Sequence, residues 1–428
     1  MREMKPCTVG KINTVPKSWE TIPLKYLFKF NKGLSITKED LVEDGIKVIN
    51  YGQVHSKANS GTTLSEDLIR YVEESHSTDN RASIAPKGGF IFADTSEDLD
   101  GCGNCAYVDT DDLVFGGYHT IVMSPTKTID NKYLAYLFRT DAWRYQIRKQ
   151  LTEVKVYSIS QKVLKSTMVI LPPTEEQSSI VSFLDKRCDN IDKAIERHKA
   201  IIDAANQLRI SIISQAVTRG ITSEPLVDSG IAWASKIPQS WTKGKLKYLT
   251  TIKTAKADND NLPYIALENV ESCTMQYVSS ESEYDPSAAV TCAKGDILFG
   301  KLRPYLSKVF ILPYDACCSN EFMVFSDFQG EPDYLKYLLV SNGFIDTVNG
   351  STYGAKMPRA NPNFIKNMFI PVPPVEEQKK IAEFLDEKCE ALNQAIIKRE
   401  AIINKLEEYR KSLIYNAVTG KIDCTEEQ

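Results

Sequence analysis

Residues Leu171–Cys188 read LPPTEEQSSIVSFLDKRC, and Val372–Cys389 read VPPVEEQKKIAEFLDEKC. Pro172-Pro173, Glu175-Glu176-Gln177, Phe183-Leu184-Asp185 and Cys188 return at one constant offset, the step from Pro172 to Pro373. Proline is excluded from a helix interior but tolerated at its edge, so each pair marks a helix start. Thr174 with Gln177 has the capping-box pattern, and Glu175 and Glu176 suit the positive end of a helix dipole. The second copy keeps the acids but has Val375 in place of the threonine, so a weaker cap is expected there.

Downstream, apolar positions step by 4 and 3. One copy gives Leu184, Cys188, Ile191, Ile195, His198, Ile202, Ala205, Arg209, Ile212 and Ala216. The other gives Leu385, Cys389, Leu392, Ile396, Arg399, Ile403, Leu406, Arg410, Leu413 and Ala417. That is a heptad seam. Two helices of about 40 to 45 residues, each about 60 to 65 Å long, have to bury these stripes, and each is the natural partner of the other.

The echo extends upstream. YLAYL at 133–137 returns as YLKYL at 334–338, KGGFIF at 87–92 as KGDILF at 294–299, and SWETIPLKYL at 18–27 as SWTKGKLKYL at 240–249. The chain is a tandem duplication with a unit of roughly 200 residues, far longer than a solenoid repeat. Each unit opens with a head in which short β-rich segments bounded by Gly, Pro or Asp (GGFIFAD, YHTIVMS and MVILPP; GDILFGK, EFMVFSD and MFIPVPP) alternate with helical stretches at 130–150 and 331–348. The expected fold class is α+β: two α+β heads separated by two long helices that form a coiled coil and can pair either way round; paired antiparallel, they would give pseudo-two-fold symmetry. The expected boundaries are 1–172 for the first head, 173–222 for the first spacer helix, 223–373 for the second head, and 374–428 for the second helix and tail.

Composition narrows the function. The 428 residues are 42% hydrophobic and 25% charged, with net charge −4. No apolar run reaches membrane-spanning length, and the N-terminus lacks a secretory core, so a cytoplasmic protein is expected. The ten cysteines are too scattered for a disulfide framework. Two basic runs stand out as possible electrostatic footprints: Lys236, Lys243, Lys245, Lys247, Lys253 and Lys256 with no acid between them, and Arg139 to Lys165, which holds seven bases against Asp141 and Glu153.

Catalytic motifs are incomplete. Asn361-Pro362-Asn363-Phe364 imitates an adenine-methyltransferase motif but lacks its second proline. Every Gly-Lys pair is followed by Ile or Leu rather than the Ser or Thr of a phosphate loop. Pro332-Asp333 has no nearby acid-x-Lys to complete a nuclease motif. Cys102-Gly103-Asn104-Cys105 has no second pair to complete a zinc site, and His55, His76 and His119 have no evident nucleophile. No metal, cofactor or catalytic residue is expected in this chain.

The paired PPxEEQxxIxxFLDxxC helices, DSGIAWASKIPQSWTKGKLKYL at 228–249, and heads ending in MVILPP and MFIPVPP together resemble the DNA-specificity subunit of Type I restriction-modification systems over essentially the whole chain. The resemblance implies two target-recognition domains held apart by an antiparallel coiled coil of the two helices, each domain reading one half of a bipartite sequence in double-stranded DNA. It also implies helices that carry two methyltransferase subunits and, through the assembled complex, restriction subunits that act as ATP-dependent translocase and nuclease. S-adenosylmethionine, ATP and Mg are expected on those partners. It points to Lys155 and Tyr157 in the first head and Lys356 and Arg359 in the second for DNA binding, with Lys301 and Arg303 next, since a guanidinium grips guanine or phosphate bidentately. In the first head the stretch corresponding to GKLRP is ADTSEDLDGCGNC, where Asp94 or Glu97 would accept from a cytosine amino group or simply occupy a solvated turn. Gln177, Phe183, Gln378 and Phe384 are the expected subunit-interface residues. The competing reading is a non-catalytic coiled-coil scaffold whose heads do not read DNA.

Overall fold

The computed structural model describes residues 2–76, 80–152, 155–254, 262–279, 289–354 and 356–425. The chain divides into two compact units, Met1–Glu196 with Ile402–Gln428, and Arg197–Ala401. Each unit therefore holds one head, the beginning of the long helix that follows that head, and the end of the other long helix.

In the first head a four-stranded antiparallel sheet runs in the order Cys105–Tyr107, Phe90–Ala93, Thr120–Pro125, Phe28–Lys32. A second four-stranded sheet, with Ile46–Ile49 parallel to Val114–Gly116, packs nearby residues such as Ile49, Val54, Ile91 and Val122 into one core. The second head repeats the first order as Val309–Ile311, Ile297–Gly300, Phe322–Ser326, Thr251–Lys253. It also repeats the parallel pair, as Tyr264–Ile265 with Ala316–Cys318. Each head closes on a strand before Pro-Pro: Met168–Leu171 pairs Glu20–Pro23, and Phe369–Val372 pairs Thr242–Lys245. The six segments expected to be strands are strands.

The helical stretches are each two helices. Asn131–Phe138 and Asp141–Arg148 break at Thr140, whose hydroxyl accepts from the Trp143 amide; Pro332–Val340 and Asn342–Asn349 break at Ser341. The Thr140 hydroxyl thus satisfies an amide that a new helix start leaves unpaired, whereas the Ser341 hydroxyl donates to the Leu338 carbonyl at 2.7 Å.

The long helices span Thr174–Arg219 and Val375–Val418, 46 and 44 residues. Within the first unit Leu184, Cys188, Ile191 and Ile195 share one core with Leu413, Ile414, Ala417 and Val418, and Arg410 pairs with Asp192. Within the second, Ile213, Ala216 and Val217 share a core with Ile381, Leu385 and Cys389, and Arg209 donates to Asn393. In both units the start of one helix lies beside the end of the other, so the pairing is antiparallel. His198, on the seam, is half-buried with Arg399 at 3.4 Å.

The expected capping box does not form. Thr174 is already inside the helix and exposed, because the first helical bond runs from the Gln177 amide to the Pro173 carbonyl at 3.0 Å. The Gln177 side chain instead accepts from the Asp130 amide (3.0 Å) and donates to the Pro172 carbonyl (2.8 Å). Gln378 does the same with the Glu331 amide (2.9 Å) and the Pro373 carbonyl (2.8 Å). The second start is thus held as firmly as the first, against the sequence expectation.

Candidate nucleic-acid interface

In each head a loop leaves the end of one central strand and meets the segment that precedes the last helix and strand. In the first head, Thr95–Ser96 pairs with Tyr157–Ser158, and the Ile159 amide donates to the Asp94 carbonyl at 2.7 Å. In the second, Leu302 bridges Arg359, and the Ala360 amide donates to the Lys301 carbonyl at 2.8 Å. The adjoining strand fixes the equivalence: Asp94 donates its amide to the His119 carbonyl at 3.0 Å, and Lys301 donates its amide to the Glu321 carbonyl at 2.8 Å. Asp94 therefore stands where the second head has Lys301, and His119 where it has Glu321.

The two loops carry inverted charge. In the first, Asp94 accepts from the Thr95 hydroxyl at 2.7 Å and lies 3.3 Å from His119 Nδ1. His55 holds the loop from behind, its Nε2 at 2.8 Å from the Thr95 carbonyl and its Nδ1 at 3.1 Å from the Asn104 amide. Tyr51, Tyr118 and His119 stack edge to face around it. In the second, Arg359 donates from Nε to Glu321 at 3.2 Å and also pairs through Nη2. Lys301, Glu321, Tyr353 and Arg359 line a hollow of about 210 Å³. Burial lowers the Lys301 pKa, opposed by the neighbouring Glu321. Each site holds a non-glycine residue in the left-handed region, His119 (φ 55°) before the adjoining strand of the first head and Arg303 (φ 51°) in the loop of the second, a conformation that persists only where surrounding contacts impose it.

Of the sequence-derived candidates, Lys301, Arg303 and Arg359 come together: the Arg303 amide donates to the Pro358 carbonyl at 2.8 Å, and Lys356, exposed, lies two residues before that carbonyl. In the first head Tyr157 is half-buried on the short ladder with Ser96, and Lys155 is exposed two residues before it. Glu97 is exposed on the turn beyond Ser96. Sequence reasoning missed His119 and Glu321; each is the residue before the strand segments HTIVMS and EFMVFSD make, so strand register is the signal that finds them.

Other expectations resolve into structural roles. Gln177 and Gln378 are buried with their amides bonded inside the chain, whereas Phe183 and Phe384 are half-exposed beneath Arg187 and Lys388. The Asn361 side chain caps the helix Pro362–Asn367, accepting from the Asn363 and Phe364 amides, which accounts for the imitation of a methyltransferase motif. The lysine run disperses: Lys253 pairs with buried Asp296 at 2.7 Å, and Lys243 and Lys245 flank the Phe369 ring. Lys256 lies outside the described residues. Cys102 and Cys105 are buried free thiols with pKa pushed up by burial, that of Cys105 to about 12. No cluster of His, Cys, Asp and Glu among the described residues has the arrangement of a metal site, and no helix among them is long and apolar enough to cross a membrane.

The duplicated heads match a known family. The family model for the Type I restriction modification DNA specificity domain matches twice, over residues 16–206 and 238–408. The chain is 22% identical, over 96% of its own length and 95% of the relative's, to the putative type I restriction enzyme MjaX specificity subunit of Methanocaldococcus jannaschii. It is 21% identical to the type I restriction enzyme EcoDI specificity subunit of Escherichia coli, over 59% of this chain and 62% of that one. A chain solved in a study of type I R-M system assembly and conformational transition shares its fold, with TM-score 0.68 and 14% identity over 95% of this chain and 99% of the other. Two α+β heads of one topology, two antiparallel long helices and two matches to the same family model lead to one conclusion: the chain belongs to the Type I restriction-modification DNA specificity subunit family, with two DNA-recognition domains.

Proposed function

We propose that this chain is the non-catalytic reading subunit of a DNA adenine methyltransferase and ATP-dependent endonuclease, each head reading one half of an interrupted duplex target in the cytoplasm. The observation that carries the proposal is the reversed charge at one register position of a common loop, Asp94 in the first head against Lys301 in the second. A scaffold with one job for both heads gives no reason for that inversion. Base reading does: in the major groove a carboxylate accepts from the amino group of cytosine, whereas lysine and arginine donate to the O6 and N7 of guanine. Arg359 is the strongest donor in the second head, and its fork is oriented by Glu321. Lys155, Lys356 and Arg303, exposed beside the loops, take phosphates, and Tyr157 packs at the edge of the groove.

Two methyltransferase subunits dock on the long helices, with restriction subunits attached through the assembled complex. Support comes from apolar side chains the helices leave uncovered: Ile201, Leu208, Ile397, Ile402 and Tyr409 are all more than a third exposed. Half-exposed Phe183 and Phe384 mark equivalent contact points next to each head. S-adenosylmethionine, ATP and Mg act on those partners.

The test is selection of bound duplexes from a library randomised in both half-sites, using the assembled complex and its Asp94→Asn and Arg359→Ala variants. Each variant is expected to relax one position of one half-site, by about 1–3 kcal/mol, and to leave the other half-site unchanged. Binding that ignores sequence and hardly weakens as salt rises would instead establish the scaffold reading.

A further inference from the structure

The first unit contains an open cleft of about 600 Å³ that does not include Asp94, Thr95 or His119 of the reading site. Its walls are the turn and helix at Arg139–Arg148, loop residues from Val54 to Gly61 and Asp100 to Cys105, and the second long helix at Arg410–Tyr415. Five cations line it (Arg139, Arg144, Arg148, Arg410 and Lys411) against two carboxylates, Asp100 and Asp141. Both carboxylates are engaged by Arg148, at 3.7 and 3.0 Å, and Arg410 is held by Asp192. Arg144 makes one bond, from Nε to the Phe138 carbonyl at 2.7 Å, and its remaining nitrogens have no partner among the described residues. Arg139 has neither an ion pair nor a side-chain hydrogen bond among them. Burial lowers the pKa of both, and each is lowered further by neighbouring cations, Arg410 for Arg139, and Arg139 and Arg148 for Arg144.

The internal repeat shows that the fold does not require this arrangement. The equivalent helices of the second head carry Val340 for Arg139, Ile345 for Arg144 and Asn349 for Arg148. Val340 and Ile345 are buried there as ordinary core residues. One head thus packs aliphatic side chains where the other holds guanidinium groups that repel one another, and removing an unpaired charge from water is costly unless a counter-charge meets it. A volume of about 600 Å³ is that of a small-ligand pocket. Guanidinium forks match phosphate oxygens in bidentate geometry, and this many cations suit a multiply charged phosphoryl group better than a single carboxylate.

We infer that the Arg139–Arg144–Arg148 cleft, completed by Arg410 and Lys411 of the second long helix, is a binding site for phosphoryl anions, present in the first unit only. Two sources present that chemistry, a free polyphosphate and the DNA backbone. The site shares the far limb of the first reading loop, Asp100 to Cys105, but none of the base-reading side chains, and its test does not depend on them.

The experiment is calorimetric titration of the full-length chain with tripolyphosphate at low ionic strength, comparing wild type with Arg139→Val/Arg144→Ile, which installs the second head's own residues. The expected result is one site in the wild type and affinity weakened roughly tenfold or more for each guanidinium lost. The substituted chain should melt no lower than wild type without ligand, because two mutually repelling, partly buried charges leave the cleft. If the double variant fails to fold, Arg139→Gln alone carries the roughly tenfold loss expected for one guanidinium. Competition with a duplex of random sequence separates the sources. Displacement of tripolyphosphate, with a shallower salt dependence of duplex binding in the variant, identifies the backbone; simultaneous binding of both identifies a free anion. No tripolyphosphate binding by wild type, or equal binding by the folded variants, overturns the inference and leaves the assignment of the reading loops untouched.

Discussion

Replacing Gln177 or Gln378 by alanine is expected to loosen the joint between a head and its helix. Gln177 is 3% exposed and Gln378 1%. In each, one amide bonds the backbone N–H that precedes a helix of the head and the carbonyl of the first proline of the pair, at 2.8–3.0 Å. Truncation orphans a donor and an acceptor together, each worth about 1–3 kcal/mol, so a loss of about 2–6 kcal/mol is expected per site. Thr174→Ala is the control: its hydroxyl caps nothing, and the change should lie within about 0.5 kcal/mol of wild type. Urea unfolding followed by tryptophan fluorescence reads the first junction directly, because the Trp19 indole donates to Glu176 at 3.0 Å, one residue before Gln177. Protection of the Asp130 and Glu331 amides in hydrogen exchange reads both. A cost of about 1 kcal/mol for Thr174→Ala, with Gln177→Ala near neutral, would show that the helix starts with a conventional cap and refute the junction.

Two further outcomes follow from burial and charge. Leu184→Ala and Leu385→Ala, at fully buried seam positions of the two units, should each cost about 2–5 kcal/mol by thermal or urea unfolding. Asp423 accepts from Thr425 and from Arg2, and these bonds lower its pKa to about 2. A depressed carboxylate stabilises the fold above its unfolded value near 3.8 and loses that contribution as pH falls through about 2. Proteolysis of the C-terminal tail should therefore accelerate in wild type between these values, and Asp423→Asn should remove that dependence.

Much of the scaffold was legible in the residues because it rests on periodicity. The 4/3 stepping from Leu184 and from Leu385 gave both long helices, and β-branched segments flanked by Gly or Asp gave the central strands. The Gln177 contacts were not legible, because a Thr-x-x-Gln pattern is the same string whether the glutamine bends back to its own helix or reaches a neighbouring one. Nor was the Asp94 to Lys301 equivalence fully legible. The repeats keep one offset from Asn131 onward, but YHTIVMS and EFMVFSD follow another and KGGFIF and KGDILF a third, so loops of different length must be aligned through strand pairing. The Arg139 to Lys165 run was visible as charge. That Arg139, Arg144 and Arg148 turn into one cleft while Lys155 faces solvent depends on the break at Thr140 and on the packing of the second long helix.

The most direct measurement of the central claim is sequencing of methylated adenines in a host genome that carries this gene with its partner methyltransferase, for wild type, a deletion, and Arg359→Ala. The account predicts one interrupted motif, lost on deletion, and relaxed by Arg359→Ala at one base of one half-site with the gap unchanged. Methylation indifferent to the deletion, with the partner expressed, would contradict it.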